Sequence, residues 1–327
     1  MTGWVPIRLA WLAEPQRASL QVEWCWLGSE RFLHPFFDHT IEHVQRLPFN
    51  GLFTHRTSID ELIAWHAASP GIPPTGFIFH MSRCGSTLVS RMLASLPENV
   101  VISEAGPVDY LARALAIPEE TRSVWLRAMV SALGQKRAGQ ETRYFIKFDS
   151  VTTDALPFIR RTFPAVPWIF LYRDPEEVLA SQLSEPGAAM SPGIVRGPAV
   201  IDAPFAETLS MSLEEHAARI IGTVCRCACQ SVVDHAGLLV NYTQLPEAVW
   251  QDIAAHFGIR FSTAQIETMW NIAAFHAKHP RAKFAPDGQF KRLGISPAAR
   301  EAAARWIQPH FEELEKLRLR PSPLPVP

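Results

Sequence analysis

Five short apolar runs mark the chain from residue 76 onward: Gly76–His80, 100–103, 144–148, Trp168–Tyr172 and 238–241. Each is bounded by polar or turn-forming residues, and segments with helical spacing lie between them. Runs this short and this uniformly apolar read as strands buried on both faces. Their alternation with helices predicts an α/β domain, a central parallel sheet flanked by helices. Ligands in such sheets bind at the carboxyl ends of the strands.

The first 72 residues follow another pattern. They are rich in tryptophan (Trp4, Trp11, Trp24, Trp26, Trp65) and hold no recognisable motif. Residues 20–26 alternate weakly, as a strand does, and Ile59–Ala68 has the spacing of a short helix. The Ser69-Pro70-Gly71-Ile72-Pro73-Pro74 segment then punctuates the chain. The expected organisation is an appended N-terminal layer over 1–72, an α/β domain over 73–320 and a frayed tail over 321–327. Residues 184–205 are dense in proline and glycine and too long for a plain connection. They read as a lid or a mobile segment, and with the N-terminal layer they are expected to shape a ligand pocket.

Composition narrows the partners. Apolar residues make up 47% and charged residues 19%, as in an ordinary globular protein, and the formal net charge of −1 argues against a nucleic-acid coat. No run approaches the roughly 20 apolar residues of a membrane helix. Arg8, Glu14 and Arg17 interrupt the N-terminal apolar stretch, so no signal-peptide core is expected. The five cysteines are an odd number without framework spacing, which predicts reduced thiols and a cytoplasmic protein. Cys225, Cys227 and Cys229 lie in a helical pattern over 217–233, where alternate residues do not share a face. They read as structural cysteines, and no metal site is expected.

The strongest local signal is Phe77-Ile78-Phe79-His80-Met81-Ser82-Arg83-Cys84-Gly85-Ser86-Thr87-Leu88. An apolar strand enters a polar turn, and a helix follows with Leu88, Met92, Leu93 and Leu96 on one face. Gly85 sits where the backbone must approach a bound group, and Ser86 and Thr87 bring hydroxyls and N–H groups to the helix start. A helix terminus contributes only about 0.3–1 kcal/mol per exposed charge. Hydrogen bonds to charged groups contribute about 1.5–3 kcal/mol each, so Arg83 and several donors must do most of the holding. Ser86 follows Gly85 where a nucleoside-triphosphatase loop has its phosphate lysine. A singly charged sulfuryl group needs less neutralisation and no obligatory metal.

A second signal is Trp168-Ile169-Phe170-Leu171-Tyr172-Arg173-Asp174-Pro175-Glu176-Glu177-Val178-Leu179-Ala180-Ser181-Gln182. The strand ends at Arg173, Asp174 can cap the next helix, and Pro175 fits its first position. Arg173 can fork onto a phosphate, and Ser181, two turns into the helix, can add a hydroxyl.

Together the two segments resemble the paired signatures of the sulfotransferases that use 3′-phosphoadenosine 5′-phosphosulfate (PAPS), a superfamily of P-loop-like three-layer fold. The resemblance is good over residues 76–182, weaker in the C-terminal third and absent before residue 70. It implies that Arg83, Cys84, Gly85, Ser86, Thr87 and Leu88 bind the 5′-phosphosulfate, and that Arg173 and Ser181 bind the 3′-phosphate. It also implies a basic C-terminal segment against the 3′-phosphate, for which Lys291 and Arg292 are the candidates. Arg83 stands where cytosolic relatives have lysine. It is therefore expected to stabilise charge rather than donate a proton.

For the base that deprotonates the acceptor, Glu104 follows the second strand at the sheet's active edge, where similar relatives use a glutamate. Partial shielding is expected to raise its pKa. His80, at the end of the first strand, is the rival base or a buttress of the loop. Lys147 ends the third strand and resembles a family position near the sulfuryl group. The expected function is sulfuryl transfer from PAPS to a small-molecule or carbohydrate acceptor, without nucleic-acid or membrane partners. The alternatives are a P-loop kinase or NTPase, and a non-catalytic nucleotide-binding protein of the same fold.

Overall fold

The computed structural model describes residues 3–13, 18–192, 201, 203–232, 237–274 and 294–320. Among them are two sheets. The N-terminal sheet joins β1 (Trp4–Ala13), β2 (Ala18–Trp26) and β3 (His55–Ser58) in antiparallel order β1-β2-β3. The main sheet joins β4 (Gly76–His80), β5 (Asn99–Ser103), β6 (Arg143–Lys147), β7 (Trp168–Tyr172) and β8 (Gly237–Asn241). Its order is β5-β6-β4-β7-β8, and every pairing is parallel. All five apolar runs are therefore strands of one sheet.

The helices are α1 (Phe37–Gln45), α2 (Pro48–Leu52), α3 (Ile59–Ala68), α4 (Ser86–Ser95), α5 (Gly106–Arg113), α6 (Glu119–Leu133) and α7 (Leu156–Thr162). They continue with α8 (Pro175–Ser184), α9 (Phe205–Ser210), α10 (Leu213–Ser231), α11 (Asp252–His256), α12 (Thr263–Ala273), α13 (Pro297–Trp306) and α14 (Gln308–Leu319). The central parallel sheet is flanked by helices, as the alternation predicts, while α1, α2 and α3 pack on the N-terminal sheet. α4 packs on α12, α10 packs on α8, α13 and α14, and α5 and α6 meet β1 of the N-terminal sheet. Gly222 permits the close approach of α10 and α13: a Cβ there would lie 2.1 Å from the Trp306 carbonyl oxygen.

β1 carried no strand signal because its register shifts between Pro6 and Arg8. An irregularity of that kind reverses which residues face the core and erases the period-two pattern. β5 and β6 each start one residue before their apolar runs. Asn99 and Arg143 open them, and the Arg143 guanidinium donates to Asn99 Oδ1 at 3.3 Å. α3 begins where the pattern places it, fixed by a capping box between Ser58 and Glu61.

The strands are buried along their whole length in β4, β5 and β7. Polar side chains gather at one edge. His80, Ser103, Lys147, Arg173 and Asn241 stand at or just beyond the carboxyl ends of the five strands, and all are buried. Burying polar groups is costly unless each finds a partner, so this edge must be internally satisfied.

At β7 and β8 the partner is α14. The Tyr172 hydroxyl and Asn241 Nδ2 both donate to Glu315 Oε1, the latter at 2.9 Å, and Arg318 Nη2 donates to Glu315 Oε2 at 2.7 Å. Burial raises the Glu315 pKa, but these donors outweigh it and hold the carboxyl at about 2. A depressed folded-state pKa contributes stability above the ordinary carboxylate range, and the contribution is lost as pH falls toward 2. Glu315→Gln is expected to cost about 1.5–3 kcal/mol at pH 7. In thermal melts the gap between variant and wild type should close between about pH 4.5 and 2.

Candidate functional site at the carboxyl edge of the sheet

Among the described residues, three non-glycine residues have positive φ: Ser82 at 71°, Arg83 at 50° and Glu104 at 56°. A non-glycine residue in the left-handed region costs about 1–3 kcal/mol and persists only where the surroundings enforce it. All three lie just past the ends of β4 and β5, where the sequence places its candidate site. Gly85 adds a fourth left-handed residue at 86°. A Cβ on it would lie 2.7 Å from Leu245 Cδ1 and 2.9 Å from Tyr242 Cδ2. Gly85 is thus required both by its backbone angle and by the closeness of its neighbours. Successive left-handed turns make an anion-binding concavity, and the first turn of α4 adds the N–H groups at Ser86, Thr87 and Leu88.

The side chains around this turn divide by role. Cys84 is fully buried and its thiol donates to the Leu171 carbonyl at 3.1 Å. Burial pushes the thiol up to about 12, so only its backbone is available to a ligand. Leu88 packs against the core. Ser86 and Thr87 are buried at the helix start. Arg83 reaches across to the end of α8, where Nη1 donates to Glu185 Oε2 at 2.7 Å and Nη2 donates to the Glu185 carbonyl.

His80 is buried beneath the loop. The Ser82 backbone N–H donates to its Nδ1 at 3.0 Å, which places the ring proton on Nε2. That nitrogen lies 3.4 Å from Glu104 Oε1. With one nitrogen accepting and the other protonated, His80 has the contacts of a buttress for the left-handed Ser82.

Glu104 is held at both ends. Its backbone N–H donates to the Lys147 carbonyl at 2.7 Å, and Lys147 Nζ lies 2.7 Å from Glu104 Oε1. The Lys147 side chain is fully buried and, among the described residues, its ammonium meets no acceptor in hydrogen-bond alignment. The contact is therefore an ion pair that leaves donor capacity on Nζ. The Phe36 ring, at the start of α1, stands over this ammonium at 4.9 Å. The expectation of a raised Glu104 pKa is overturned. Burial does push it up, but the Lys147 charge, with the His80 ring beside it, reverses the effect and holds Glu104 at about 2. Nearby, burial and the Asp149 charge push the Asp109 carboxyl well above its usual range.

Arg173 is buried at the end of β7. Its Nε and Nη2 both meet Glu177 Oε2 at 2.6 Å, and its guanidinium lies 4.1 Å from the Tyr242 ring centroid. Tyr242 is also the ring that crowds Gly85, so Arg173 and the left-handed turn flank one aromatic side chain. Asp174 caps α8 by accepting from the Glu177 N–H at 3.1 Å, as its sequence position predicts. Glu177, Ser181 and Glu185 follow at four-residue intervals along α8, and Gln182 Nε2 donates to Ser82 Oγ at 2.8 Å.

The structure therefore brings His80, Arg83, Gly85, Glu104, Lys147 and Arg173 to one edge, and Ser181 lies on α8 between Glu177 and Glu185, the partners of Arg173 and Arg83. Lys291 and Arg292 lie outside the described residues. Phe36, Glu185 and Tyr242 were not anticipated, and Gln182, at the end of the second signal, has no role expected from the sequence. The four-residue stripe on α8 was readable in the sequence, whereas nothing local marks Phe36 or Tyr242. Among the described residues no group of three or more His, Cys, Asp or Glu side chains is placed to hold a metal, and no helix is long and apolar enough to cross a membrane.

No protein-family profile matches the sequence, and no curated protein matches it. Among solved structures, the chain is similar to several sulfotransferases. Sulfotransferase STF9 from Mycobacterium avium shares 13% identity over 79% of this chain and 80% of its own, with a TM-score of 0.49. The sulfotransferase domain of the Synechococcus PCC 7002 olefin synthase shares 18% over 77% and 97%, with a TM-score of 0.42. Mouse sulfotransferase SULT7A1, complexed with PAP, shares 12% over 80% and 90%, with a TM-score of 0.39. At these values the functional reading rests on the geometry of the site.

The Glu104–Lys147 pair makes a prediction of its own. Removing one partner of a buried ion pair costs about 3–5 kcal/mol, because the other charge is left without compensation. Lys147→Met should lose that much stability at pH 7, and Lys147→Met/Glu104→Gln should recover most of it in denaturant titrations. If both variants are equally unstable, the pair does not organise the edge.

Proposed function

We propose that this chain is a sulfotransferase that moves a sulfuryl group from PAPS to a hydroxyl or amine of a small-molecule or carbohydrate acceptor. The observation that carries the reading is the placement of two arginines. Arg83 leaves the left-handed turn that ends in Gly85, Arg173 leaves the adjacent strand, and Tyr242 stands against Gly85 and Arg173. This arrangement suits a nucleotide phosphorylated at both ends. The turn and α4 start would hold the 5′-phosphosulfate, while Arg173 and Ser181 would hold the 3′-phosphate.

PAPS supplies an activated sulfuryl group on a phosphate leaving group. Glu104 takes the proton from the acceptor, whose oxygen or nitrogen forms the new bond to sulfur. The sulfur–oxygen bond to the phosphate breaks, and adenosine 3′,5′-bisphosphate leaves with the bonding electrons. Arg83, the loop N–H groups and the spare donor capacity of Lys147 Nζ stabilise the charge that moves onto that phosphate. Glu104, held at about 2, is ionised at any physiological pH. It is a weak base in the ground state and becomes effective as the attacking atom acidifies. His80 keeps the loop and the carboxylate in register.

The test is transfer of labelled sulfate from PAPS across a panel of alcohols, phenols, amines and sugars. Glu104→Gln should lower the rate by about 10²–10⁴-fold while the bisphosphate still binds. The wild-type kcat/KM profile should show no acid limb from Glu104 above about pH 4. Undiminished transfer by Glu104→Gln would remove it from the base role.

A further inference from the structure

The end of α8 holds a carboxylate where helix electrostatics disfavours one. Glu185 is the residue that follows the last turn of α8, at the negative end of the helix dipole. Arg83 compensates it. Nη1 and Nη2, the two nitrogens that form the outer fork of the guanidinium, are both engaged by Glu185, one by Oε2 at 2.7 Å and the other by its carbonyl. That fork is also the edge an arginine uses to grip a phosphate with two parallel hydrogen bonds. It cannot hold both groups in this way at once.

We infer that Glu185 is a built-in competitor for the donor, a carboxylate that occupies the Nη1 arm of the phosphate-gripping fork of Arg83 until the donor's 5′-phosphate displaces it. The inference rests on the donor reading above and deepens it. The two partners are unequally free to move. The Arg83 side chain is 12% exposed and fixed by the strained turn, whereas the Glu185 side chain is 67% exposed and can swing into water. Displacement therefore moves the carboxylate off Nη1 and leaves the arginine in place, with Nη2 still on the Glu185 carbonyl. Gln182 keeps the helix end attached to the loop throughout, with Nε2 donating to Ser82 Oγ at 2.8 Å and Oε1 accepting from the Gly187 N–H at 3.1 Å. Glu177 differs from Glu185. It is buried beside Arg173 and engages Nε and Nη2 with a single oxygen, which is the geometry of a residue that orients an arginine.

The sign of one substitution separates competition from support. Calorimetry would compare adenosine 3′,5′-bisphosphate and adenosine 3′-monophosphate on wild type and Glu185→Gln. Competition predicts that the variant binds the bisphosphate about two- to fivefold more tightly, the range of a part-exposed ion pair. The 3′-monophosphate, which lacks the group that reaches Arg83, should bind both proteins equally. Equal or weaker bisphosphate binding by the variant overturns the inference and leaves the donor reading standing. Absence of bisphosphate binding by wild type overturns both.

Discussion

Taking an ammonium group out of water costs several kcal/mol, and the Lys147 ammonium is completely buried at the end of β6. It needs an anion within a few ångströms. Glu104 is the residue that supplies one, and to do so its backbone adopts a left-handed angle while its N–H bonds to the Lys147 carbonyl. The strain at Glu104 and the burial of Lys147 therefore explain each other. The pair fixes the ends of β5 and β6 against one another. His80, touching Glu104 on one side and the Ser82 N–H on the other, transmits that position to the loop beyond β4.

The same economy recurs on the other side of β4. Arg173 needs a carboxylate and finds it in Glu177 one turn into α8, and Arg83 finds Glu185 two turns further along. A single helix thus satisfies both arginines and, through Gln182, fastens the loop between them. Beyond β7 and β8, Glu315 of α14 gathers Tyr172, Asn241 and Arg318. Tyr172 precedes Arg173 and Asn241 precedes Tyr242, so the C-terminal helix steadies the strand ends from which the candidate phosphate-binding side chains project.

Much of this was legible because buried parallel strands and glycine-bearing strand-to-helix turns are local in sequence. Two of the five main-sheet strands, Gly76–His80 and Trp168–Tyr172, have the bounds of their apolar runs. The cap at Asp174 and the glycine at 85 follow from neighbours within a few residues. What escaped was non-local or antagonistic. Phe36 comes from the N-terminal segment and meets Lys147 only through tertiary folding. The register shift in β1 hid a ten-residue strand. The Glu104 pKa went the opposite way because shielding was visible in the pattern while the countering lysine, 43 positions away in the chain, was not paired with it.

The central claim is that two strand ends grip opposite phosphates of one adenine nucleotide. Its most direct test is the affinity of the wild-type chain for adenosine 3′,5′-bisphosphate against adenosine 5′-monophosphate, measured by calorimetry in chelator to exclude metal dependence. Arg173 and Ser181 together should favour the bisphosphate by about 10²-fold or more, given charge-assisted hydrogen bonds of about 1.5–3 kcal/mol each. Equal affinities would contradict the account and reduce the site to a turn that holds any anion.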